Sequence, residues 1–337
     1  MCRTSSHSAV SSCLIVILFA IVLQDTDQKK LGKPFRTFQG HETGVVSICF
    51  SLDNSLLASA ATDGSVIVWN VTSGEKMAAL RGSKEGVNSV AFHPNGFLLL
   101  LGGADGVISL WDVKKREKLQ TYRGHADAIN TVTFLPGGKG FVSGSMDKTA
   151  CLWDSDAPEP KRKFQHKYPI YSLSVSPNGE WLVTTSSPRP STSEPNQNTS
   201  ILTLINLKKK KRDHSKVLND SVRGVDVDNN NNKFVTASWD GKIKLWDIPN
   251  INLLRTLSQS HPALSVAFSP SGDKLISGSL NGSLDVWSEA GKATSSYMEK
   301  GMAVFSTKFS PNGKMIAAGF ADLENDRAGK VLVWMVR

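Results

Sequence analysis

The 337-residue sequence predicts an all-β protein in which seven sheets of similar size close into a ring, a seven-bladed β-propeller. Three observations predict it. An apolar-x-x-apolar-x-aromatic pattern recurs with its last position at Phe50, Phe92, Phe134, Val175, Val227, Phe268 and Phe309, at intervals of 42, 42, 41, 52, 41 and 41 residues. A second marker trails it at Trp69, Trp111, Trp153, Trp246, Trp287 and Trp334, with Ile205 in the fourth place. Between the markers apolar residues alternate with period two, broken by short turns, as strands and hairpins require. One small sheet cannot cover both of its faces. Seven set radially bury them against one another and leave only short edges.

Taken along the chain, residues 1–32 form an apolar leader outside the fold. Residues 13–23 are uninterrupted apolar residues, fewer than the ~20 that a spanning helix needs. Their length suits the core of a signal peptide, with Arg3 as its basic start. Ile21 and Leu23, however, stand where a cleavage site would want small residues. If residues 9–24 act as an anchor, Lys29, Lys30, Lys33 and Arg36 outnumber Arg3 and would keep the propeller in the cytosol. A leader on an intracellular protein, a misassigned start, an uncleaved anchor and a secretion signal all stay open.

The propeller then occupies 33–337. The first unit shows the common texture: VVSICF, the turn SLDNS, LLASA, the turn TDG, then SVIVW. The dipeptides Asn95-Gly96, Gly137-Gly138, Asn178-Gly179, Ser271-Gly272 and Asn312-Gly313 supply the positive φ of tight hairpins. The fourth unit is the long one. Its excess, 186–200, is rich in Pro, Ser, Asn and Thr and predicts a surface insertion. The run Lys208–Arg212 follows at a turn, either as a nuclear localisation signal or acidic-partner patch, or as a solvated hairpin tip. The chain stops at the third strand of the last unit, so Phe35–Phe38 are the spare strand expected to pair with the last blade and close the ring.

Details of the repeat resemble the WD-repeat family over residues ~33–337. Gly40-His41 and Gly124-His125 open units, Trp69-Asn70, Trp111-Asp112, Trp153-Asp154 and Trp246-Asp247 close them, and Asp63, Asp105, Asp147 and Asp240 stand six residues before the tryptophan. The resemblance implies buried structural tetrads of His, Ser or Thr, Asp and Trp. His41–Asp63–Trp69 and His125–Asp147–Trp153 match that pattern, whereas Ser83 replaces His in the second repeat and Asn281 replaces Asp in the sixth. It also implies a top face built by Val46, Asn88, Asn130, Tyr171, Arg223, Leu264 and Phe305, and by Thr62, Ala104, Met146, Trp239 and Leu280. Of these, Met146, Tyr171, Arg223, Trp239, Leu264, Leu280 and Phe305 are the candidate partner-binding residues. They are large, and Tyr, Trp and Arg are enriched at energetic hot spots. The alternative for each is packing in the rim or the central channel.

Chemistry is sparse. The seven histidines are dispersed, and no phosphate-binding glycine loop, nucleophile elbow or paired-histidine zinc motif occurs. No cofactor or metal is expected. Cys49 and Cys151 lie in apolar strand patterns without metal-ligand spacing. The expected function is therefore a non-catalytic scaffold or adaptor, a monomeric propeller within a multiprotein complex in the cytoplasm or nucleus, binding other proteins on its top face. Two alternatives differ in partner. Leu100–Asp105 through Leu110–Lys114 resembles the box of substrate receptors for cullin-type ubiquitin ligases. The net charge of +9 and pI ≈ 9.3 motivate a ribonucleoprotein role.

Overall fold

Period-two alternation in each sequence unit becomes one antiparallel sheet. A computed structural model describes residues 29–189, 199–209, 211–322 and 329–336, which form seven sheets and no helix. The innermost strands are Val45–Phe50, Val87–Phe92, Ile129–Phe134, Ile170–Val175, Val222–Val227, Ala263–Phe268 and Met302–Phe309. In the first blade three more strands follow outward: Leu56–Ala61, Ser65–Asn70 and Lys76–Arg81. The second strand is buried on both faces, which is why it reads LLASAA; the outer strand buries only alternate residues. Small and apolar side chains suit the first position, and Lys and Arg suit the second. The core is divided into apolar clusters wedged between neighbouring blades, the first joining Ile48 and Trp69 to Val331 and Val333 of the last.

Ring closure occurs as the chain ends suggest. Arg36–Gln39 pairs antiparallel with Lys330–Met335, with Phe38 opposite Val331. Phe38 is 2% exposed and stacks on Trp69 at 5.1 Å, so the closing strand also packs against the first blade. Phe35, which the sequence places in this strand, lies before it and is exposed.

The boundary of the leader moves. Residues 29–32, set outside the propeller by sequence, belong to it: Lys29–Lys30 pairs parallel with Ala293–Met298, Leu31 packs on the cluster between the last two blades, and the Gly32 carbonyl accepts the Trp334 indole N–H at 3.3 Å. The reason is an unpaired strand edge on blade six and an indole with no hydroxyl beside it. Ala318 stands in blade seven where Ser59 stands in blade one, opposite the residue two before the tryptophan. Residues 1–28, including the apolar stretch 9–24, and residues 190–198 of the fourth-blade insertion lie outside the described residues. No helix among the described residues is long and apolar enough to cross a membrane.

The hairpin glycines adopt the positive φ expected of them, from +66° at Gly179 to +99° at Gly96. Gly64 is needed for space as well. A Cβ there would lie 1.7 Å from the Ser83 carbonyl oxygen, because the chain entering blade two runs directly over this turn.

Candidate functional site

The recurrent polar residues must first be assigned to architecture or to a site. In blade three His125 Nδ1 donates to Asp147 at 2.8 Å, the Ser143 hydroxyl meets Nε2 at 2.7 Å, and the Trp153 indole donates to the same hydroxyl at 2.7 Å. Thr149 adds a bond to Asp147 at 2.7 Å. Burial raises the Asp147 pKa, but the His125 and Thr149 hydrogen bonds outweigh it and hold the carboxyl well below the usual range. Every polar group in this cluster is engaged with another; one end is the buried Trp153, and the other, Asp147, borders the hollow beside Met146. Replacing Ser143 by Ala leaves two buried partners unpaired and is expected to cost about 3 kcal/mol, measured by denaturant unfolding. A loss no larger than that of Ser109→Ala, whose Trp111 is only half-buried, would remove this account.

In blade one the arrangement differs from the sequence pairing. His41 bonds Ser59 at 2.7 Å and Ser65 at 2.8 Å, while Asp63 holds the turn by accepting the Ser65 amide at 2.8 Å. The hydroxyl of Ser65 is long enough to intervene, so the carboxylate acts on the ring only through space. Trp69 still donates to Ser59 at 2.8 Å. In blade two Leu101 occupies the hydroxyl position, and Trp111 turns to Ser109 at 2.9 Å instead. His166 in blade four bonds Thr184 at 2.9 Å, although Ile205 has replaced the tryptophan.

The innermost strands pose a separate problem, because each is a sheet edge with unpaired amides facing the channel. Serines solve it. Ser306, Ser47, Ser89, Ser172 and Ser174 accept the amides of Ile48, Val90, Val132, Val225 and Val227 of the following blade, at 3.0–3.2 Å. Asp226 does the same for Phe268 at 2.9 Å. Burial pushes the Asp226 carboxyl up, opposed by Lys308 and these hydrogen bonds. This seam was missed in sequence. Its signal is a Ser at the third residue of most inner strands.

Each inner strand also carries a β-bulge at its start, and the skipped residues are Val46, Asn88, Asn130, Tyr171, Arg223, Leu264 and Phe305. A bulge leaves one residue out of the ladder and re-aims its side chain; all seven line the central channel. Their roles then diverge. Asn88 and Asn130 donate across the seam to the Ile129 and Ile170 carbonyls, at 3.0 and 2.7 Å. Leu264 is buried, and Phe305 half-buried. Arg223 lies with its guanidinium carbon 4.0 Å from the Tyr171 ring centre and 5.7 Å from that of Trp239.

Trp239 is placed on the rim by a backbone bond from its amide to the Ser221 carbonyl at 2.8 Å, and its side chain is 44% exposed. The same bond sets Met146 and Leu280, each half-buried, after the second strands of their blades. Met146 falls in a different hollow, between blades three and four, with Tyr168, Pro169, Pro188 and the Arg189–Asp127 ion pair. The structure thus brings Tyr171, Arg223 and Trp239 into one contacting group, adds Leu264 and Phe305 on the same channel wall, and separates Met146.

Nucleophiles are muted. Burial pushes the Cys49 thiol up to about 12 and the Cys151 thiol up to about 11, so both stay protonated at neutral pH. Among the described residues no cluster of His, Cys, Asp and Glu could hold a metal ion.

A family model described as WD domain, G-beta repeat matches residues 32–70, 74–112, 116–154, 158–187, 208–247 and 251–288, more than half of the chain. The three strands of the seventh blade between Met302 and Met335 lie beyond these matches, yet its sheet forms. A subunit of chromatin assembly factor 1 from Mus musculus is 36% identical over 62 residues, 17% of this chain and 11% of that protein. The Gallus gallus protein of the same name is 34% identical over 64 residues, 18% of the chain and 11% of that protein. The aligned segment spans about a tenth of those relatives. WD40 propellers typically serve as non-catalytic interaction scaffolds, and no enzyme family is indicated for this chain. Six matched repeats, with a seventh sheet completing the ring, make this chain a member of the WD40 family, the WD domain or G-beta repeat proteins.

Proposed function

We propose that the protein is a non-catalytic adaptor that captures a protein partner at the mouth of its central channel, with Tyr171, Arg223 and Trp239 as the anchors. The observation that carries this reading is the exposure of Trp239 beside Arg223 on a rigid rim. An exposed indole held in place by its backbone offers large contact area with little ordering cost on binding. Phe305 and Leu264 extend the apolar surface along the wall, and the hollow at Met146 offers a second contact region. Leu280 belongs to the same rim series on blade six.

The similarity to a component of chromatin assembly factor 1 supports a nuclear setting for the complex that the adaptor joins. The basic run supports nothing further. Lys208 meets Glu180 at 3.5 Å and Arg212 donates to the Gln165 carbonyl of the neighbouring blade at 2.5 Å, while Lys210 lies outside the described residues. Replacing Trp239 and Phe305 together by Ala is expected to abolish partner capture in affinity purification while the melting temperature stays nearly unchanged. Full capture by the double variant would remove the site.

A further inference from the structure

We infer that the channel mouth receives an anionic side chain of the partner, held by the Arg223 guanidinium, and rejects a cationic one. This rests on the top-face reading above and adds the chemistry of what enters. Arg223 is the skipped residue of the bulge between Val222 and Gly224, so its side chain is committed to the opening and cannot rejoin the ladder. The guanidinium lies over the Tyr171 ring of blade four and near the Trp239 ring of blade five. Such cation–π contacts use no N–H donor and leave the five donors to make hydrogen bonds.

Those donors lack acceptors. Arg223 Nε is buried without a hydrogen-bond partner, and no acceptor among the described residues bonds the terminal nitrogens. The carboxylates close by in sequence do not bond it: Asp220 pairs with Lys244 through Oδ2 and keeps a buried Oδ1 without a partner, and Asp226 takes the Phe268 amide and the Ser174 hydroxyl. Of these donors Nε is the buried one, and a folded protein rarely leaves such a group unpaired, while the terminal nitrogens face the opening. A carboxylate or phosphate arriving edge-on would satisfy two of them at once, the geometry that guanidinium groups prefer. An incoming Lys or Arg would meet a like charge.

Three blocked tripeptides test this: acetyl-Gly-Glu-Gly-amide, acetyl-Gly-phosphoserine-Gly-amide and acetyl-Gly-Lys-Gly-amide. The readouts are the Arg223 Nε–H resonance, assigned with Arg223→Lys, and Trp239 fluorescence. The Glu or phosphoserine peptide is expected to shift the resonance saturably, the stronger of the two naming the anion, and the Lys peptide is expected to leave it in place. Arg223→Gln should weaken anion binding roughly ten- to hundredfold with an unchanged melting temperature. A resonance unmoved by both anions, or moved equally by Lys, overturns the inference. Partner capture that survives Arg223→Gln but is lost in the Trp239 and Phe305 double variant overturns it too, while leaving the top-face reading intact.

Discussion

A chain that begins at residue 40 is expected to aggregate or to melt without a cooperative transition. The truncation removes Arg36–Gln39, the outer strand of the last blade, and leaves the Lys330–Met335 edge without its partner. It also removes Phe38, whose ring joins the first and last blades in one cluster. Emptying that position alone costs about 3–5 kcal/mol by analogy with other Phe→Ala substitutions, a large share of the 5–15 kcal/mol that typically separates folded from unfolded states. The lost ladder bonds and the exposed edge add to it, and an open apolar edge invites pairing between copies. Size-exclusion chromatography and thermal unfolding of residues 40–337 are the measurements. A monomer melting within a few degrees of the full chain would show that the ring holds without this strand. Phe38→Ala in the full chain is the milder companion, expected to remain soluble with a lowered melting temperature.

Acid should destabilise the propeller already between pH 6.5 and 4, above the range where its carboxylates titrate in bulk. Burial pulls the His41 imidazole down to about 4, with Asp63 opposing and Lys76 adding. Burial likewise brings His166 to about 4, with the Phe164 carbonyl opposing and Arg212 adding. Both folded-state values lie below the ordinary 6.5, so the unfolded chain binds protons first as pH falls. The stability present above pH 6.5 is therefore lost progressively down to pH 4, about 3 kcal/mol for each ring. Asp147, held low by His125 and Thr149, extends the loss further into acid. Melting temperatures across pH 4–7 should drop steeply, and an His41→Asn, His166→Asn double variant should show a flatter profile. Equal slopes for the two proteins would sink the assignment.

Much of the architecture was legible because each blade repeats one short physical problem. Phe50, Phe92 and their counterparts fill the same wedge between blades, so their spacing counts the blades without any knowledge of contacts. The missing fourth strand after Trp334 pointed to a donor at the other end of the chain, and Arg36–Gln39 supplies it. The pairing of His125 with Asp147 and Trp153 followed from position, and it holds although Thr149, in the place of Ser65, also comes within 3.0 Å of the ring. The His41 pairing did not: Ser65 stands between ring and carboxylate, a matter of side-chain reach that no spacing encodes. Nor did the place of residues 29–32. Nothing local marks Lys29–Lys30 as a strand until the unpaired edge of Ala293–Met298 and the unserved Trp334 indole are seen beside it.

What the sequence by itself determined is the number of blades, their strand order and the way the circle closes, because these depend on alternation and period, which are local. What only the tertiary structure decided is which residues meet across the channel. Tyr171, Arg223 and Trp239 come from two blades and are scattered along the chain; two bulges and a rim backbone bond bring them together. Asn88 and Asn130 stand at equivalent positions yet are used up in sealing the seam. The physical reason is that a side chain's partner in a closed ring is set by the neighbouring sheet, which sequence distance does not measure.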